Sequence, residues 1–345
     1  MWKGEAKYSK WPLYILLFPL SLIYRLCLVL RERMYYIGMI KIKEAPIPVI
    51  SIGNITLGGT GKTPVVERLS MKLKESGLNP GIATRGYKRE RNGMFCVDVK
   101  KDTPKEVGDE AYMLAKKTQI PVFVGADRAE SIGRGIKDLH IDVALLDDGF
   151  QLKNIKKDLD ILILNGRQSG ENYELFPLGP YREPLKRIKD ADVILVNKGN
   201  LNGEIKQYNK GIPVFRAQYK PLHIYNIKMN LVAHYNFLKG RNVLAFSGLG
   251  DNKSFFDLLR KIGANVLHEI SYPDHYAYKR NDMKRLLSFK DVAAIVTTEK
   301  DAVKITHMDV PEHLFYLAIE VVIEREEEFM EYIIKKIENK RVVYH

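Results

Sequence analysis

The amino-acid sequence predicts an α/β protein with a doubly wound layer of strands and helices. From residue 46 onward, short β-branched runs alternate with stretches of helical pattern, which is typical of α/β folds. Continuous apolar runs at residues 143–146, 161–164 and 193–196 suit strands that are buried on both faces of a parallel sheet. A glycine-rich loop at residues 58–63 separates a predicted strand from a predicted helix, which indicates a phosphate-binding loop.

The composition is that of an ordered globular protein with anionic partners. The chain has 345 residues, of which 46% are hydrophobic and 28% charged, and this predicts about two domains with packed cores. The net charge of +13 favours nucleic acid, acidic lipid or a phosphorylated substrate, although a solvated basic surface explains it equally well. The two cysteines, Cys27 and Cys96, are far apart, which argues against a disulfide framework or a zinc site and favours a reducing cytosol.

The N-terminal segment predicts a helix that lies in a membrane interface. Residues 11–24 are almost wholly apolar, and as a helix they span about 21 Å, short of the roughly 30 Å hydrocarbon core. Lys3, Lys7 and Lys10 precede them, and cationic flanks suit anionic headgroups. A signal peptide is disfavoured because no small residues follow the apolar run. A buried core helix is the alternative, and a full crossing requires Arg25 to snorkel.

The chain is predicted to divide into four consecutive parts. These are a membrane-associated helix at residues 1–35, a first α/β domain with the phosphate-binding loop at 36–213, a linker at 214–241 and a second α/β domain at 242–345. The linker is assigned because its residues are extended and mixed in polarity, and a second strand–helix pattern begins after it.

The glycine-rich loop carries the strongest chemical signal. Its residues are Gly58, Gly59, Thr60, Gly61, Lys62 and Thr63. Glycines let backbone N–H groups surround phosphate oxygens, and the following helix adds its positive N-terminal end. Lys62 is placed to reach the β- and γ-phosphates of a nucleotide, and the Thr63 hydroxyl to ligate Mg²⁺. The loop is a variant, since Thr56 stands where the usual pattern has glycine. The alternative is a chance glycine turn.

Carboxylates follow one predicted strand and open one predicted helix. Asp147 and Asp148 come directly after an apolar strand, where an aspartate can meet the Mg²⁺ of a nucleotide; a simple turn is the alternative. Gln151 can orient a hydroxyl or a water, or it can lie at the surface. Asp109 and Glu110 open a helix, either as capping residues or as a general base.

Arginines and an acid–histidine pair complete the candidate residues. Arg128 and the arginine within residues 177–184 suit the charge of a transferring phosphoryl group, although most arginines are surface residues. Asp274 and His275 can act as an acid–base pair. A structural histidine among tyrosines is the alternative.

Nine sequence pieces together resemble the tetraacyldisaccharide 4'-kinase family. They run in order from Ser51 to Lys304 and cover most of the chain: GN-x-x-x-GGTGKTP, RGY, VGDE, DR, DDGFQ, PLGPYREP, SGLG, PDH-x-x-Y and TTEKDAVK. The apolar N-terminal helix also fits this family. The family's loop is similar at Thr56. The chain departs from the family pattern at residues 251–253, at Tyr276 and in the stretch around Cys96, and none of these departures touches a proposed catalytic residue.

The resemblance implies an ATP-dependent lipid kinase. Such an enzyme transfers the γ-phosphate of ATP, with Mg²⁺, to the 4'-hydroxyl of an acylated glucosamine disaccharide 1-phosphate and forms lipid IVA. It implies two α/β/α domains with a short β linker, and an active site in the cleft between them. It also implies a peripheral protein at the cytoplasmic face of the bacterial inner membrane, in contact with membrane lipid. We expect a monomer that binds no nucleic acid.

The resemblance also implies roles for individual residues. Asp109 is the base and works with His275, and Lys62 acts on the phosphates. The Mg²⁺ side comprises Thr63, Asp147, Asp148 and Glu110. Other active-site positions are Tyr87, Arg128, Gln151, Arg182, Glu183 and Asp274.

Two other classes of protein are less consistent with the sequence. A P-loop ATPase or GTPase switch would explain the loop, and Asn197 with Lys198 resembles half of a guanine-binding motif. However, Asn200 stands where that motif requires aspartate, and a switch has no use for the motifs at residues 274–275 and 297–304. A nucleic-acid-binding protein would explain the charge, but the basic residues are dispersed and form no recognised module.

Overall fold

The computed structural model describes residues 11–166, 173–197, 199–201 and 203–341. Lys3, Lys7, Lys10 and Lys198, on which parts of the sequence interpretation depend, lie outside the described residues. The helices are α1 (Trp11–Tyr36), α2 (Lys62–Glu75), α3 (Pro104–Val107), α4 (Asp109–Thr118), α5 (Arg128–Leu139), α6 (Gly203–Tyr208), α7 (Asn252–Lys261), α8 (Arg280–Leu287), α9 (Glu299–Ile305) and α10 (Glu326–Arg341). The strands are β1 (Val49–Gly53), β2 (Pro80–Thr84), β3 (Phe95–Cys96), β4 (Val122–Val124), β5 (Val143–Asp147), β6 (Leu159–Asn165), β7 (Val193–Asn197), β8 (Val214–Asn226), β9 (Leu231–His234), β10 (Asn242–Ser247), β11 (Asn265–Ser271), β12 (Ala294–Thr298) and β13 (Leu314–Ile323).

The chain forms two compact units, and neither is continuous in sequence. The first unit comprises Met1–Thr84, Asp127–Gln218 and Ile323–His345, and the second comprises Arg85–Ala126 and Tyr219–Val322. The consecutive division expected from the sequence therefore differs from these units at residues 85–126 and 323–345. The reason is that long-range packing defines a compact unit, whereas the sequence pattern only marks where one element type follows another.

The first unit is built on a parallel sheet with the strand order β8-β7-β6-β1-β5-β2. All residues of β1, β5 and β7 are buried, as expected for a sheet covered on both faces. Ile52 of β1 lies opposite Asp147 of β5 and Ile161 of β6. Since parallel strands end at the same edge, the loop that follows β1 and the acidic residues that follow β5 belong to one edge of the sheet.

Helix α1 extends beyond the apolar run at residues 11–24 and ends next to the predicted boundary at residue 35. It has 26 residues, which corresponds to about 39 Å, whereas the apolar run alone predicted 14 residues. An extension of the apolar run beyond residue 24 was expected to bury Arg25, but Arg25 is exposed. By length and composition, residues 14–36 are able to cross a membrane.

One face of α1 packs on the first unit and the rest is exposed. Ser21 donates a hydrogen bond to the Leu175 carbonyl at 3.1 Å, and Leu28 is buried in an apolar cluster. The other large apolar side chains of α1 face outward, among them Ile15, Leu16, Leu22, Ile23 and Leu26. The structure therefore does not support a buried core helix. A wide apolar surface of this kind is a mark of an interaction with membrane or with another protein.

The second unit has a smaller parallel sheet with the order β11-β10-β12-β13. The region assigned as a linker forms β8 and β9, which pair antiparallel through residues 223 and 234. Helices α3 and α4, from residues 85–126, pack against α9 in this unit. That packing brings the N-terminal end of α4 to the side chains of α9, although the two helices are far apart in sequence.

Candidate active site

The glycine-rich loop of the first unit joins β1 to α2 with a shape that needs glycine. Gly58 has φ 98° and Gly61 has φ 78°, a region that other residues enter only with strain. Gly61 is the N-cap of α2, and it has no side chain to cap the N–H groups of the first turn. Asn54 holds the loop from inside, since its Nδ2 donates to Thr60 Oγ1 at 2.7 Å. The loop and the helix N-terminus together suit an anion such as phosphate.

Lys62 begins α2 and lies in a charged group with Asp148 and Arg182. Its Nζ is 3.5 Å from Asp148 Oδ1 and 3.4 Å from Asn54 Oδ1. Both terminal nitrogens of Arg182 donate to the Asp148 carboxylate, with Nη1 to Oδ2 at 2.9 Å. Desolvation would raise the pKa of Asp148, but Arg182 and Lys62 together lower it. Asp148 is therefore an anion held by two cations at the start of α2.

Asp147 and Thr63 have the kinds of oxygen atom that bind a magnesium ion. Asp147 ends β5 and is buried, and Thr84 Oγ1 donates to its Oδ2 at 3.5 Å. Thr63 lies in the first turn of α2. Within the described ranges, no three His, Cys, Asp or Glu side chains gather into a metal cluster. A hydroxyl and one or two carboxylates are a suitable partial set for Mg²⁺, which usually takes its remaining ligands from phosphates and water.

The segment at residues 174–183 supports the loop through backbone contacts. Tyr181 forms an antiparallel bridge with Thr56, and the Leu57 N–H donates to the Pro180 carbonyl at 2.6 Å. The Arg182 N–H donates to the Ile55 carbonyl at 2.9 Å. This pairing fixes the backbone next to the guanidinium that binds Asp148. The proline-rich motif found in the sequence is thus a structural partner of the glycine-rich loop.

Glu183, Gln151 and Arg128, three further residues predicted for the active site, lie in the first unit outside the charged group of Lys62, Asp148 and Arg182. Glu183 is 1% exposed, and its Oε1 accepts from Arg31 of α1 at 2.7 Å. Gln151 Nε2 donates to the Asn54 carbonyl, so it contacts the base of the loop. Arg128 is buried in the first turn of α5. Glu183 therefore joins α1 to the segment beside the loop, and any role toward a substrate stays a prediction.

The second unit contains a carboxylate–histidine pair. Asp109 begins α4, and its Oδ2 lies 3.1 Å from His275 Nδ1. The Nζ of Lys304 is 3.6 Å from the same oxygen. Burial alone would raise the pKa of Asp109, but the hydrogen bond from His275 and the charges of Lys300 and Lys304 lower it to about 2. At neutral pH Asp109 is an anion in a buried site.

A second set of carboxylates surrounds the far side of the histidine. Lys300 Nζ lies 2.8 Å from Glu110 Oε1, 3.1 Å from Asp274 Oδ1 and 3.1 Å from His275 Nε2. Burial alone would lower the pKa of Lys300, but Glu110, Asp274 and Asp109 raise it. The Tyr87 ring contacts the His275 ring edge-on, with centroids 4.8 Å apart. Glu110, predicted on the Mg²⁺ side, is thus paired with a lysine.

The structure brings many of the predicted residues into two clusters, one in each unit. The first-unit cluster holds Lys62, Asp148, Gln151 and Arg182, and the second-unit cluster holds Tyr87, Asp109, Glu110, Asp274 and His275. Their chemical roles stay predictions. Sequence reasoning did not identify Asn54 or Lys300. Both lie inside motifs found in the sequence, GN-x-x-x-GG and TTEKDAVK, and membership of a motif was the only available signal.

The first unit has the features of a P-loop nucleotide-binding protein. A glycine-rich loop precedes α2, a lysine begins that helix, and an aspartate ends a neighbouring strand of the parallel sheet. Residues 13–338 match the family model described as tetraacyldisaccharide-1-P 4'-kinase, LpxK. The chain belongs to this family. The predicted α/β fold class and the resemblance noted in the sequence are both confirmed.

Named relatives and a solved structure agree with this membership. The tetraacyldisaccharide 4'-kinase of Desulfatibacillum aliphaticivorans is 35% identical over 335 residues, which cover 92% of this chain and 91% of the relative. The enzyme of the same name from Shewanella halifaxensis is 34% identical, with 92% of each chain covered. The crystal structure of LpxK from Aquifex aeolicus in complex with ATP is 34% identical, with a TM-score of 0.77, and covers 93% of this chain and 98% of that chain.

Proposed function

We propose that this protein transfers the γ-phosphate of ATP to the 4'-hydroxyl of a tetraacylated glucosamine disaccharide 1-phosphate and forms lipid IVA. Membership of the family and the complex of LpxK from Aquifex aeolicus with ATP support the reaction class. The observation that carries the proposal is the buried, ionised Asp109 in contact with His275. A hydroxyl acceptor needs such a group, and a nucleotide switch does not.

The first-unit cluster is proposed to bind the nucleotide. Backbone N–H groups of the loop Gly58, Gly59, Thr60 and Gly61 would surround the phosphates, together with the N-terminal end of α2. The Lys62 ammonium would interact with the β- and γ-phosphates. Arg182 and Arg128 are proposed to balance the charge of the transferring group, because a guanidinium matches phosphate oxygens in planar geometry.

Mg²⁺ is proposed to be held by Thr63, Asp147 and Asp148. When bound, the ion neutralises charge on the phosphate oxygens and so favours transfer. Hard oxygen ligands of this kind are the ones that Mg²⁺ prefers. Glu110 is proposed as a further member of the acidic cluster, although its carboxylate is paired with Lys300.

The second-unit cluster is proposed to act on the acceptor. The hydroxyl oxygen forms a new bond to phosphorus as the bond from phosphorus to ADP breaks, and the hydroxyl proton goes to the Asp109–His275 pair. Tyr87 and Asp274 stand beside this pair and are proposed to help to position the sugar. Gln151 and Glu183 belong to the first unit, and their roles at the active site stay predictions. A low pKa keeps Asp109 ready to accept a hydrogen bond at neutral pH.

Helix α1 is proposed to anchor a monomeric, peripheral enzyme at the cytoplasmic face of the bacterial inner membrane. Its exposed apolar side chains and the exposed basic residues Arg25 and Arg33 support contact with anionic lipid. Since the substrate has acyl chains, such contact would bring the enzyme to the surface where its acceptor lies.

The test of the reaction is transfer of labelled γ-phosphate from ATP to the tetraacyldisaccharide 1-phosphate in detergent micelles. We expect a labelled lipid that requires Mg²⁺. Lys62→Ala, Asp109→Ala and His275→Ala are each expected to lose most activity while the protein stays folded. Hydrolysis of ATP without labelled lipid would refute the proposed acceptor.

A further inference from the structure

Asn54 has side-chain contacts to which the proposed transfer gives no role. The residue follows β1 directly and is fully buried. Its Nδ2 donates to Thr60 Oγ1 at 2.7 Å. Its Oδ1 accepts from Arg182 Nη2 and lies 3.4 Å from Lys62 Nζ. A buried amide costs free energy unless it is hydrogen-bonded, and the partners here are one residue of the glycine-rich loop and two cations.

The two cations determine which way the Asn54 amide points. An ammonium and a guanidinium have donors only, so the amide oxygen must face Lys62 and Arg182. The amide NH₂ group then faces Thr60, whose hydroxyl oxygen accepts its hydrogen bond. Leucine, which has a similar size, has neither a donor nor an acceptor, and an ionised aspartate has no donor. Asparagine therefore satisfies both sides of this position.

Thr60 is held from a second side by Asn197, the last residue of β7. Asn197 is buried, and its Nδ2 donates to the Thr60 carbonyl. Strand β6 separates β7 from β1, so this contact ties the loop after β1 to a strand that is two positions away in the sheet. The N–H groups of a phosphate-binding loop bind an anion when the backbone directs them to one place. Two buried contacts on Thr60 fix the backbone in this way.

Asn54 also helps to bring two cations to one place. Lys62 begins the helix that follows the loop, whereas Arg182 comes from a distant segment of the chain. Like charges repel each other, so the two cations stay side by side only where acceptors face both of them. The acceptors are Asn54 Oδ1 and the Asp148 carboxylate. Two cations beside a fixed loop suit the oxygens of one phosphate group.

We infer that Asn54 is a positioning residue for the phosphates of ATP, which fixes the glycine-rich loop and holds two cations side by side. The loop is fixed through Thr60, and the cations are those of Lys62 and Arg182. Asn54 acts through these groups and not by its own contact with the nucleotide. The inference rests on the phosphate-binding role proposed for the first unit and does not involve the acceptor lipid.

The test is the affinity for ATP, measured by calorimetry on the full-length protein in detergent micelles with Mg²⁺. Asn54→Leu should raise the Kd for ATP by about 10- to 100-fold, because hydrogen bonds to charged groups are lost. Thr60→Val removes only the contact with the loop and should raise the Kd by about 3- to 10-fold. Thr60→Ser keeps the hydroxyl, and its Kd should stay within about twofold. The double variant of Asn54→Leu and Thr60→Val should bind no more weakly than Asn54→Leu alone, since both changes remove the same contact.

A matched control and a kinetic readout separate this role from a general loss of structure. Ser70→Ala removes a buried hydroxyl from α2, where Oγ donates to the Glu67 carbonyl at 2.9 Å. This variant should unfold at a lower temperature but keep its Kd for ATP within about twofold. In the transfer assay, Asn54→Leu should raise the KM for ATP and leave the KM for the acceptor lipid within about twofold.

The outcomes distinguish this inference from the proposed reaction. An unchanged Kd in Asn54→Leu overturns the inference, and so does the same Kd in Thr60→Val and Thr60→Ser. The two Thr60 variants change the size of the side chain only slightly, so they decide the question even if Asn54→Leu does not fold. If the unaltered protein binds ATP and the variants weaken binding as expected, but no phosphate reaches the lipid, the inference stands and the kinase proposal fails. If the unaltered protein binds no ATP, both fail.

Discussion

Replacement of Arg31 by methionine tests how helix α1 is attached to the first unit. Arg31 and Glu183 form an ion pair in which the arginine side chain is 33% exposed and the glutamate 1%. Removal of one partner from a fully buried pair costs about 3–5 kcal/mol, whereas an exposed pair contributes at most about 1 kcal/mol. Arg187 Nε remains 3.7 Å from Glu183 Oε2 and screens part of the loss. We expect Arg31→Met to lower the free energy of unfolding by about 2 kcal/mol.

The assay is urea denaturation in detergent, followed by circular dichroism, with a double-mutant cycle. Arg31→Met, Glu183→Gln and the double variant should give a coupling free energy of about 1–3 kcal/mol. Arg25→Met is the matched control, because Arg25 is exposed on the same helix and its loss should change stability by less than about 0.5 kcal/mol. If Arg31→Met and Arg25→Met unfold at the same urea concentration and the coupling is near zero, the pair does not attach the helix.

Three further predictions concern the catalytic pair and the membrane face. Asp109→Asn should lower kcat by about 10²- to 10⁴-fold with ATP affinity unchanged by calorimetry; equal turnover would remove Asp109 as the base. The pKa of Asp109 falls from 3.8 to about 2 on folding. The ionised carboxylate should therefore stabilise the fold by about 2 kcal/mol above pH 4, and most of this contribution should be lost as the pH falls to 2. If the difference in unfolding free energy between the unaltered protein and Asp109→Asn does not depend on pH, this prediction is wrong. Leu26→Glu on the exposed face should weaken co-flotation of the protein with anionic vesicles without loss of stability. Leu28→Ala, at a buried position, should lower the free energy of unfolding by about 2–3 kcal/mol and leave co-flotation unchanged. The reverse pattern would exclude the exposed face as the membrane contact.

The sequence was sufficient to predict the sheet that positions the loop. Strands β5, β6 and β7 are continuous apolar runs, and a strand buried on both faces has no other simple pattern. The glycine-rich loop was also predictable, because positive φ at Gly58 and Gly61 leaves a direct trace in composition. Asp147 could be placed at the same sheet edge since parallel strands end together.

Other features depend on contacts that no local pattern records. Residues 85–126 belong to the second unit because α4 packs on α9, and nothing near residue 85 marks that change. Lys300 lies inside the TTEKDAVK motif, but the motif does not show that α9 places its Nζ 3.1 Å from His275 Nε2. Glu183 was expected near the substrate, but its carboxylate pairs with Arg31, which is 152 residues away.

The low pKa of Asp109 has a consequence for the kind of transition state that the enzyme can use. A carboxylate with a pKa near 2 is a weak base, so it cannot remove the proton from an unreacted alcohol. In a loose phosphoryl-transfer transition state, however, the new oxygen–phosphorus bond is only slightly formed, and the hydroxyl becomes acidic late in the reaction. A weak base that is fixed and fully ionised is then sufficient, and the hydrogen bond from His275 together with the charges of Lys300 and Lys304 keeps Asp109 ionised. Since the carboxylate stays charged far below neutral pH, protonation of Asp109 should not limit the rate until the pH approaches about 2.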